Sequence, residues 1–322
     1  MQYNIFFEKN CYICNMKSLN TKKYLLILFT FAVANCNFIY ANPTSLLWEV
    51  KPKSDTTKVA YLLGSVHIAP PEMYPLHPVI MDAWKKCNAL AVELNIMDLD
   101  ASSLMGDMTI IFKFISLTEK LSDKLPNDLY LKVKEAFLKN EIPEEVIDMM
   151  TPLGASIFLG LGDLSTMLLD INEADSPIGI DMFFLMKAKD ENKPIFELET
   201  IATQIAALES INDNIVPYLQ SQIKNMDNPD ADINSLFTAW KNGDADAIER
   251  MINIPPTDNK AFNDKIMNAM LYDRNISMAK KIEEYLTDTK TFFIVVGAGH
   301  YVGDKSIIDI LQKTGKYHIK RL

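Results

Sequence analysis

Apolar and polar positions fall first into short alternating runs. Leu46-Leu47-Trp48-Glu49-Val50 and Val59-Ala60-Tyr61-Leu62-Leu63 flank a polar turn containing Pro52, Lys53, Ser54 and Asp55, which predicts a β-hairpin. From His77 to Cys87 the apolar residues Val79, Ile80, Ala83 and Trp84 recur at helical spacing. They lead into Ala89-Leu90-Ala91-Val92-Glu93-Leu94, a run suited to a buried strand ending at Glu93. From Leu99 to about Lys189 the spacing is helical, with segments predicted over 108–117, 126–139, 144–150, 155–169 and 179–190. Residues 193–198 restore a strand. Helices are then predicted over 201–210, 215–224, 233–241, 245–251 and 259–286. The chain closes with a strand over 291–296, a helix over 304–314 and a strand over 317–322. Strands separated by helices and joined by glycine turns predict an α/β (α+β) domain: a mixed β-sheet flanked by helices, with a large helical insertion at about 99–190.

The first 41 residues read differently. Lys17 to Lys23 is basic, and the eleven residues from Tyr24 to Ala34 are almost wholly apolar. At about 1.5 Å per residue such a run spans only about half of a ~30 Å hydrocarbon core, so it suits a signal peptide better than a membrane anchor. Ile39-Tyr40-Ala41 offers a cleavage site, and Met16 offers a start codon directly before the basic stretch. An uncleaved anchor and lipidation at Cys36 are the competing readings. The expected mature part, residues 42–322, is a single domain exported to the periplasm or the extracellular space, as in a Gram-negative cell. No stable membrane span remains after cleavage. Cys11 and Cys14 have zinc or redox spacing but no second half, and receive no function.

Of the four cysteines only Cys87 lies beyond residue 41, so the exported domain is held by packing without an internal disulfide. Removing residues 1–41 takes away four Lys and one Glu, which moves the net charge from −10 to −13. An acidic surface argues against nucleic acid or anionic lipid as partner. Nothing in the sequence fixes the oligomeric state.

Two stretches echo each other. Leu62-Leu63-Gly64-Ser65-Val66-His67 and Val295-Val296-Gly297-Ala298-Gly299-His300 are each an apolar strand followed by Gly-x-x-His. Glycine permits a sharp turn at a strand's carboxyl end, where open α/β sheets place their ligands. One such histidine is weak evidence, but the chain has only four and two occupy this paired position. Glu93 ends a third apolar strand, where burying a carboxylate costs several kcal/mol unless it is paired or bound to a cation. Glu197 and Glu199 flank Leu198 at the end of a fourth, and strand alternation lets them share a face. Two imidazoles and a carboxylate, His67, His300 and Glu93, suit a divalent transition metal, zinc included. Such an ion lowers the pKa of a bound water toward ~7 and polarises a carbonyl, so the chemistry expected is hydrolysis. Arg274, on a helix leading to the last Gly-x-x-His strand, is a candidate for binding a substrate carboxylate or oxyanion. His77 and His318 lack the glycine context and are read as structural.

These residues resemble the TraB/GumN proteins, which include the TIKI metalloproteases. The resemblance runs from about Leu46 to Leu322 through Gly64-Ser65-Val66-His67, Glu93, Met150-Thr151-Pro152, Gly179-Ile180-Asp181, Leu198-Glu199-Thr200 with Gln204, Arg274-Asn275 and Gly297-Ala298-Gly299-His300-Tyr301. It implies a metal site on His67 and His300 that Glu93 completes or assists, with Glu199 and Arg274 nearby. It further implies a metal-dependent peptidase favouring manganese or cobalt and acting on a peptide or protein. The family more often has leucine at Tyr301, a departure expected to perturb the rim of the site. A non-catalytic peptide-binding or inhibitory protein is the rival reading, and related folds add esterase action or haem capture.

Overall fold

The computed structural model describes residues 45–98, 108–139, 141–161, 178–226 and 233–322. The expected leader, Cys11, Cys14, Cys36, and the expected helical positions 162–169 lie outside the described residues. The hairpin is present as β1 (Leu47–Pro52) and β2 (Ala60–Ser65), followed by α1 (Pro78–Lys86) and β3 (Ala89–Val92). The helical stretch comprises α2 (Met108–Phe114), α3 (Leu121–Lys124), α4 (Asn127–Lys139), α5 (Glu144–Asp148), α6 (Pro152–Leu161) and α7 (Ile180–Asp190). Next come β4 (Ile195–Glu197), α8 (Ile201–Glu209), α9 (Ile215–Met226), α10 (Ile233–Lys241), α11 (Ala245–Ile252) and α12 (Lys260–Met267). A π-helical turn, Asn268–Tyr272, joins α12 to α13 (Asp273–Tyr285), and β5 (Phe292–Gly297), α14 (Ile307–Lys313) and β6 (Tyr317–Arg321) complete the order.

The strands form one mixed sheet in the order β4-β3-β5-β2-β1-β6. β4, β3, β5 and β2 run parallel, while β1 is antiparallel to both β2 and β6. The parallel centre follows from composition. β2 and β3 are buried at every position and β5 at all but Gly297, and strands covered on both faces carry continuous apolar runs. Helices supply the cover. Trp84 of α1 and Phe184 of α7 meet at 5.1 Å between ring centroids, and Phe293 of β5 lies edge-on to Trp84 at 5.4 Å. A second core, with Leu121, Val133, Phe137 and Ile147 against Leu219 of α9, holds the helical stretch together.

Several boundaries differ from those expected, among them the ends of the helix over 108–114 and of β4, and the short α3 was not expected at all. α6 starts at Pro152, because Thr151 caps it by accepting the Gly154 N–H at 3.0 Å and proline is tolerated at the first helical position. α14 starts at Ile307, because Ser306 accepts the Asp309 N–H at 3.1 Å. β3 ends at Val92, so Glu93 lies one residue beyond the strand. Among the described residues no helix is long and apolar enough to cross a membrane.

Candidate active site

The register brings the two Gly-x-x-His turns together. β2 pairs with β5 so that Gly64 lies opposite Val296 and Ser65 opposite Gly297. A methyl group on Gly64 would come within 3.0 Å of the Ala298 Cα, so glycine is what lets the first turn lie against the second. Glu93 follows β3 on the other side of β5, and its Oε1 accepts the Gly297 N–H at 2.7 Å. Leu198 and Glu199 follow β4, where their N–H groups donate to the carbonyls of Val92 and Glu93. All four parallel strands therefore deliver chemistry at one carboxyl edge.

Each histidine is anchored through Nδ1. His67 Nδ1 is 3.0 Å from Asp181 Oδ2, while Ser65 donates to the other carboxylate oxygen at 2.7 Å. Asp181 reaches this position because α7 begins beside the first turn: Ile180 N–H donates to the Val66 carbonyl, and a methyl on Gly179 would lie only 2.1 Å from the His67 carbonyl oxygen. His300 Nδ1 is 2.6 Å from Asn275 Oδ1, and Asn275 Nδ2 donates to the Lys305 carbonyl at 2.9 Å. That second bond fixes which way the amide faces, so the His300 Nδ1 must carry the proton and its Nε2 is left as the acceptor. The His300 Nε2 lies 3.7 Å from Glu93 Oε1. A ring nitrogen tied to an acceptor while the other faces a shared space is the usual arrangement of a metal-binding histidine.

Arg274 binds both carboxylates. Its Nη2 donates to Glu93 Oε2 at 2.7 Å and Glu199 Oε2 at 2.6 Å, its Nε to Glu199 Oε1 at 2.9 Å, and its Nη1 to the Met270 carbonyl at 2.8 Å. Four of its five N–H groups are thus engaged within the protein. Gln204 of α8 adds longer contacts to Glu93 and Glu199 at 3.3 and 3.4 Å. Glu197 does not join Glu199: it is exposed, and its carboxylate accepts the Asn95 N–H.

Electrostatics follow from these contacts. Burial works against ionisation of Glu93, but the positive charges around it and the Gly297 N–H outweigh burial and hold its carboxyl below the ordinary carboxylate range. Burial holds His300 below the ordinary imidazole range, with Arg274 and His67 acting in the same direction. A neutral His300 is not the cation that keeps Glu93 ionised, so that role falls to Arg274 and His67. Asp181 pushes His67 up to about 9 through its charge and its hydrogen bond. The His67 side chain is 66% exposed, so solvent screens this effect, but its direction stands: Asp181 stabilises positive charge on the ring, whether a proton or a cation supplies it.

The other two histidines lie elsewhere. His77 caps α1, accepting the Val79 N–H, and His318 is exposed on β6. Tyr301 does not line the rim as expected. It is 2% exposed and packs on Trp48 with ring centroids 5.5 Å apart, so the departure from leucine is absorbed by the core. Cys87 is a buried free thiol at the C-terminal cap of α1, donating to the Ala83 carbonyl.

A family model described as TraB/PrgY/gumN matches residues 46–320. The chain belongs to that family. It is 21% identical to a metalloprotease TIKI homolog of Amphimedon queenslandica, an alignment covering 88% of this chain and 62% of the relative. It is likewise 21% identical to metalloprotease TIKI1 of Xenopus tropicalis, covering 88% of this chain and 63% of the relative. The uncharacterized protein YbaP of Escherichia coli strain K12 is also 21% identical, over 78% of this chain and 87% of the relative. The chain thus spans about three-fifths of the length of the TIKI proteins it matches. No solved structure matches it.

For this TraB/PrgY/gumN chain, the fit of a metal can be judged at Gly297. A methyl there would stand 3.4 Å from Glu93 Oε1, 3.6 Å from His300 Cδ2 and 3.8 Å from His67 Nε2. One point beside the Gly297 Cα is therefore common to all three side chains, and the donor types suit a divalent cation. Among the described residues, no three His, Cys, Asp or Glu side chains already stand at coordination distances. Gly297→Ala tests this reading. Its backbone is at φ −49° and the new contacts are of ordinary van der Waals length, so the unfolding midpoint is expected to stay within about 3 °C. Affinity for manganese, followed by calorimetry, is expected to fall by about tenfold or more.

What sequence reasoning missed is Asp181 and Asn275. Both stand within stretches that carry the family resemblance, yet nothing in their spacing relative to the histidines announces them as anchors.

Proposed function

We propose that this chain is a metal-dependent peptidase exported from the cytoplasm. The observation that carries the reading is the pair of imidazoles anchored through Nδ1, by Asp181 and by Asn275, which share with the Glu93 carboxylate one point beside Gly297. The metalloprotease names of the TIKI relatives agree with it. In this reading His67 and His300 hold the cation through Nε2, and Glu93 either completes the ligand set or takes a proton from the attacking water. When bound, the ion supplies an activated water and a polarised carbonyl. Asp181 and Asn275 hold the rings in one orientation, so that no rotamer search accompanies binding. Arg274 keeps Glu93 ionised and pointed at the histidines, and its remaining N–H can meet negative charge developing on the substrate carbonyl oxygen. The basic stretch and apolar run before residue 42 act as the leader in the same proposal, and the domain works in the periplasm or outside the cell.

The test is hydrolysis of a defined peptide mixture by purified protein, with products read by mass spectrometry. Turnover is expected with manganese or cobalt, is expected to stop with chelator, and is expected to return when the metal is restored. Absence of turnover with every divalent metal tried, alongside retained peptide affinity, would replace the peptidase with a binding protein.

A further inference from the structure

The candidate catalytic residues line a cavity of about 450 Å³, whose charged lining is His67, Glu93, Asp181 and Arg274. Ile157, Leu208, Ile211, Tyr218 and Met270 also line it, and all of these but Leu208 belong to one apolar cluster, which marks an end apart from the charged residues. Its geometry follows from helix periodicity. Leu208 stands four residues after Gln204 on α8, so the helix that points Gln204 at Glu93 turns Leu208 into the same cavity one turn on. Ile157, Tyr218 and Met270 rest on a buried cluster of Leu153, Ile211, Phe262 and Ile266, which backs the wall and limits its collapse. The polar pair beyond them is neutral and already joined: Ser156 donates to Gln222 Oε1 at 2.9 Å and Gln222 Nε2 donates to the Ser156 carbonyl at 3.0 Å.

Three hollows elsewhere among the described residues are roomier, of about 900 Å³ around Ile252 to Met267, about 630 Å³ around Ser116 to Met149 and about 480 Å³ between Pro52 and Tyr317, and none of them is lined by a histidine. The smaller cavity is the one that joins reactive groups to an apolar wall. Its volume lies within the ~300–1,000 Å³ of ordinary ligand sites, enough for a large side chain and adjoining backbone. Resting on the peptidase reading, we propose that the Ile157–Leu208–Met270 end is a side-chain subsite that sets specificity. It takes one bulky uncharged residue, aliphatic, thioether or aromatic, of an extended peptide whose neighbouring carbonyl lies between His67 and Glu93. A Lys, Asp or Glu side chain there would lose its water and meet no opposite charge, so such peptides are rejected.

The experiment equilibrates the full chain with a positional-scanning hexapeptide library in chelator, so that binding is read without turnover, and quantifies the retained peptides. Leu, Ile, Met and Phe are expected to be enriched about tenfold or more at one position. Leu208→Lys is expected to erase that enrichment or convert it to Asp and Glu. Leu208→Trp, which stays apolar and keeps the fold testable should the lysine variant misfold, is expected to shift the preference to Ala and Val. A flat wild-type profile, or a profile that neither substitution moves, overturns the subsite. Repeating the library with manganese separates the two ideas. Cleavage without an apolar preference removes the subsite and leaves the peptidase, whereas an intact Leu208-dependent preference without cleavage removes the peptidase and leaves the pocket.

Discussion

Replacing His67 or His300 with alanine is expected to lower manganese-dependent peptide hydrolysis by about a thousandfold or more, because each removes one of two imidazoles that no other side chain can replace. The two variants are expected to differ in stability. His67 is largely open to solvent, so His67→Ala is expected to unfold near the wild-type midpoint. His300 is 4% exposed and bonded to Asn275. Its loss leaves a buried amide oxygen without a donor, at a cost of about 1–3 kcal/mol. Equal loss of activity with unequal loss of stability is the signature sought, from initial rates and thermal denaturation on the same preparations. His77→Ala, at the exposed cap of α1, serves as the control and is expected to keep full turnover. Substantial activity in either site variant would remove the shared-cation mechanism.

Arg274→Ala carries the largest expected cost in stability. The Glu199 side chain is 1% exposed and that of Glu93 11%, and the guanidinium bonds to both. Without it two neighbouring carboxylates are buried with no cation between them, and breaking a buried pair in this way costs about 3–5 kcal/mol. For a domain of this size that is a fall of roughly 6–20 °C in the unfolding midpoint. Adding Glu199→Gln to Arg274→Ala removes one of the stranded charges and is expected to recover part of the loss. A drop below about 1 kcal/mol in denaturant unfolding would contradict the pairing. Turnover is expected to fall too, since Glu93 would lose the partner that aims it.

Much of this architecture could be read from the residues alone, for local reasons. The hairpin was legible because alternation on either side of a Pro-Lys-Ser-Asp turn admits few other structures. The single helix expected over 259–286 corresponds to α12, the π-turn and α13 running on without a break. Strand order was not legible. That β5 inserts between β3 and β2, and that β6 returns to pair with β1, depends on contacts between residues hundreds of positions apart, which no local pattern encodes. The site divides the same way. His67, His300 and Glu93 stood out because histidine is rare here and a carboxylate after an apolar run is costly. Asp181 is one of 42 acidic residues, and only the fold reveals that α7 begins against the His67 turn. Arg274 was expected to reach outward to substrate, but its neighbours occupy most of its donors, because Glu93 and Glu199 arrive on adjacent strands that the sequence does not announce as adjacent.

The π-turn at Asn268–Tyr272 closes through the Asp273 N–H donating to the Asn268 carbonyl, one residue wider than an α-turn. In an α-helix each residue advances the direction of its side chain by about 100°. The wide turn takes up one residue more than an α-turn holds, so a further residue inserted there would swing Arg274 and Asn275 together away from the carboxylates and from His300, and would pull the apolar contacts of α13 out of step with the sheet. The segment acts as a spacer: losing its extra residue lets the turn close as ordinary α-helix with the site kept in register, whereas gaining one does not.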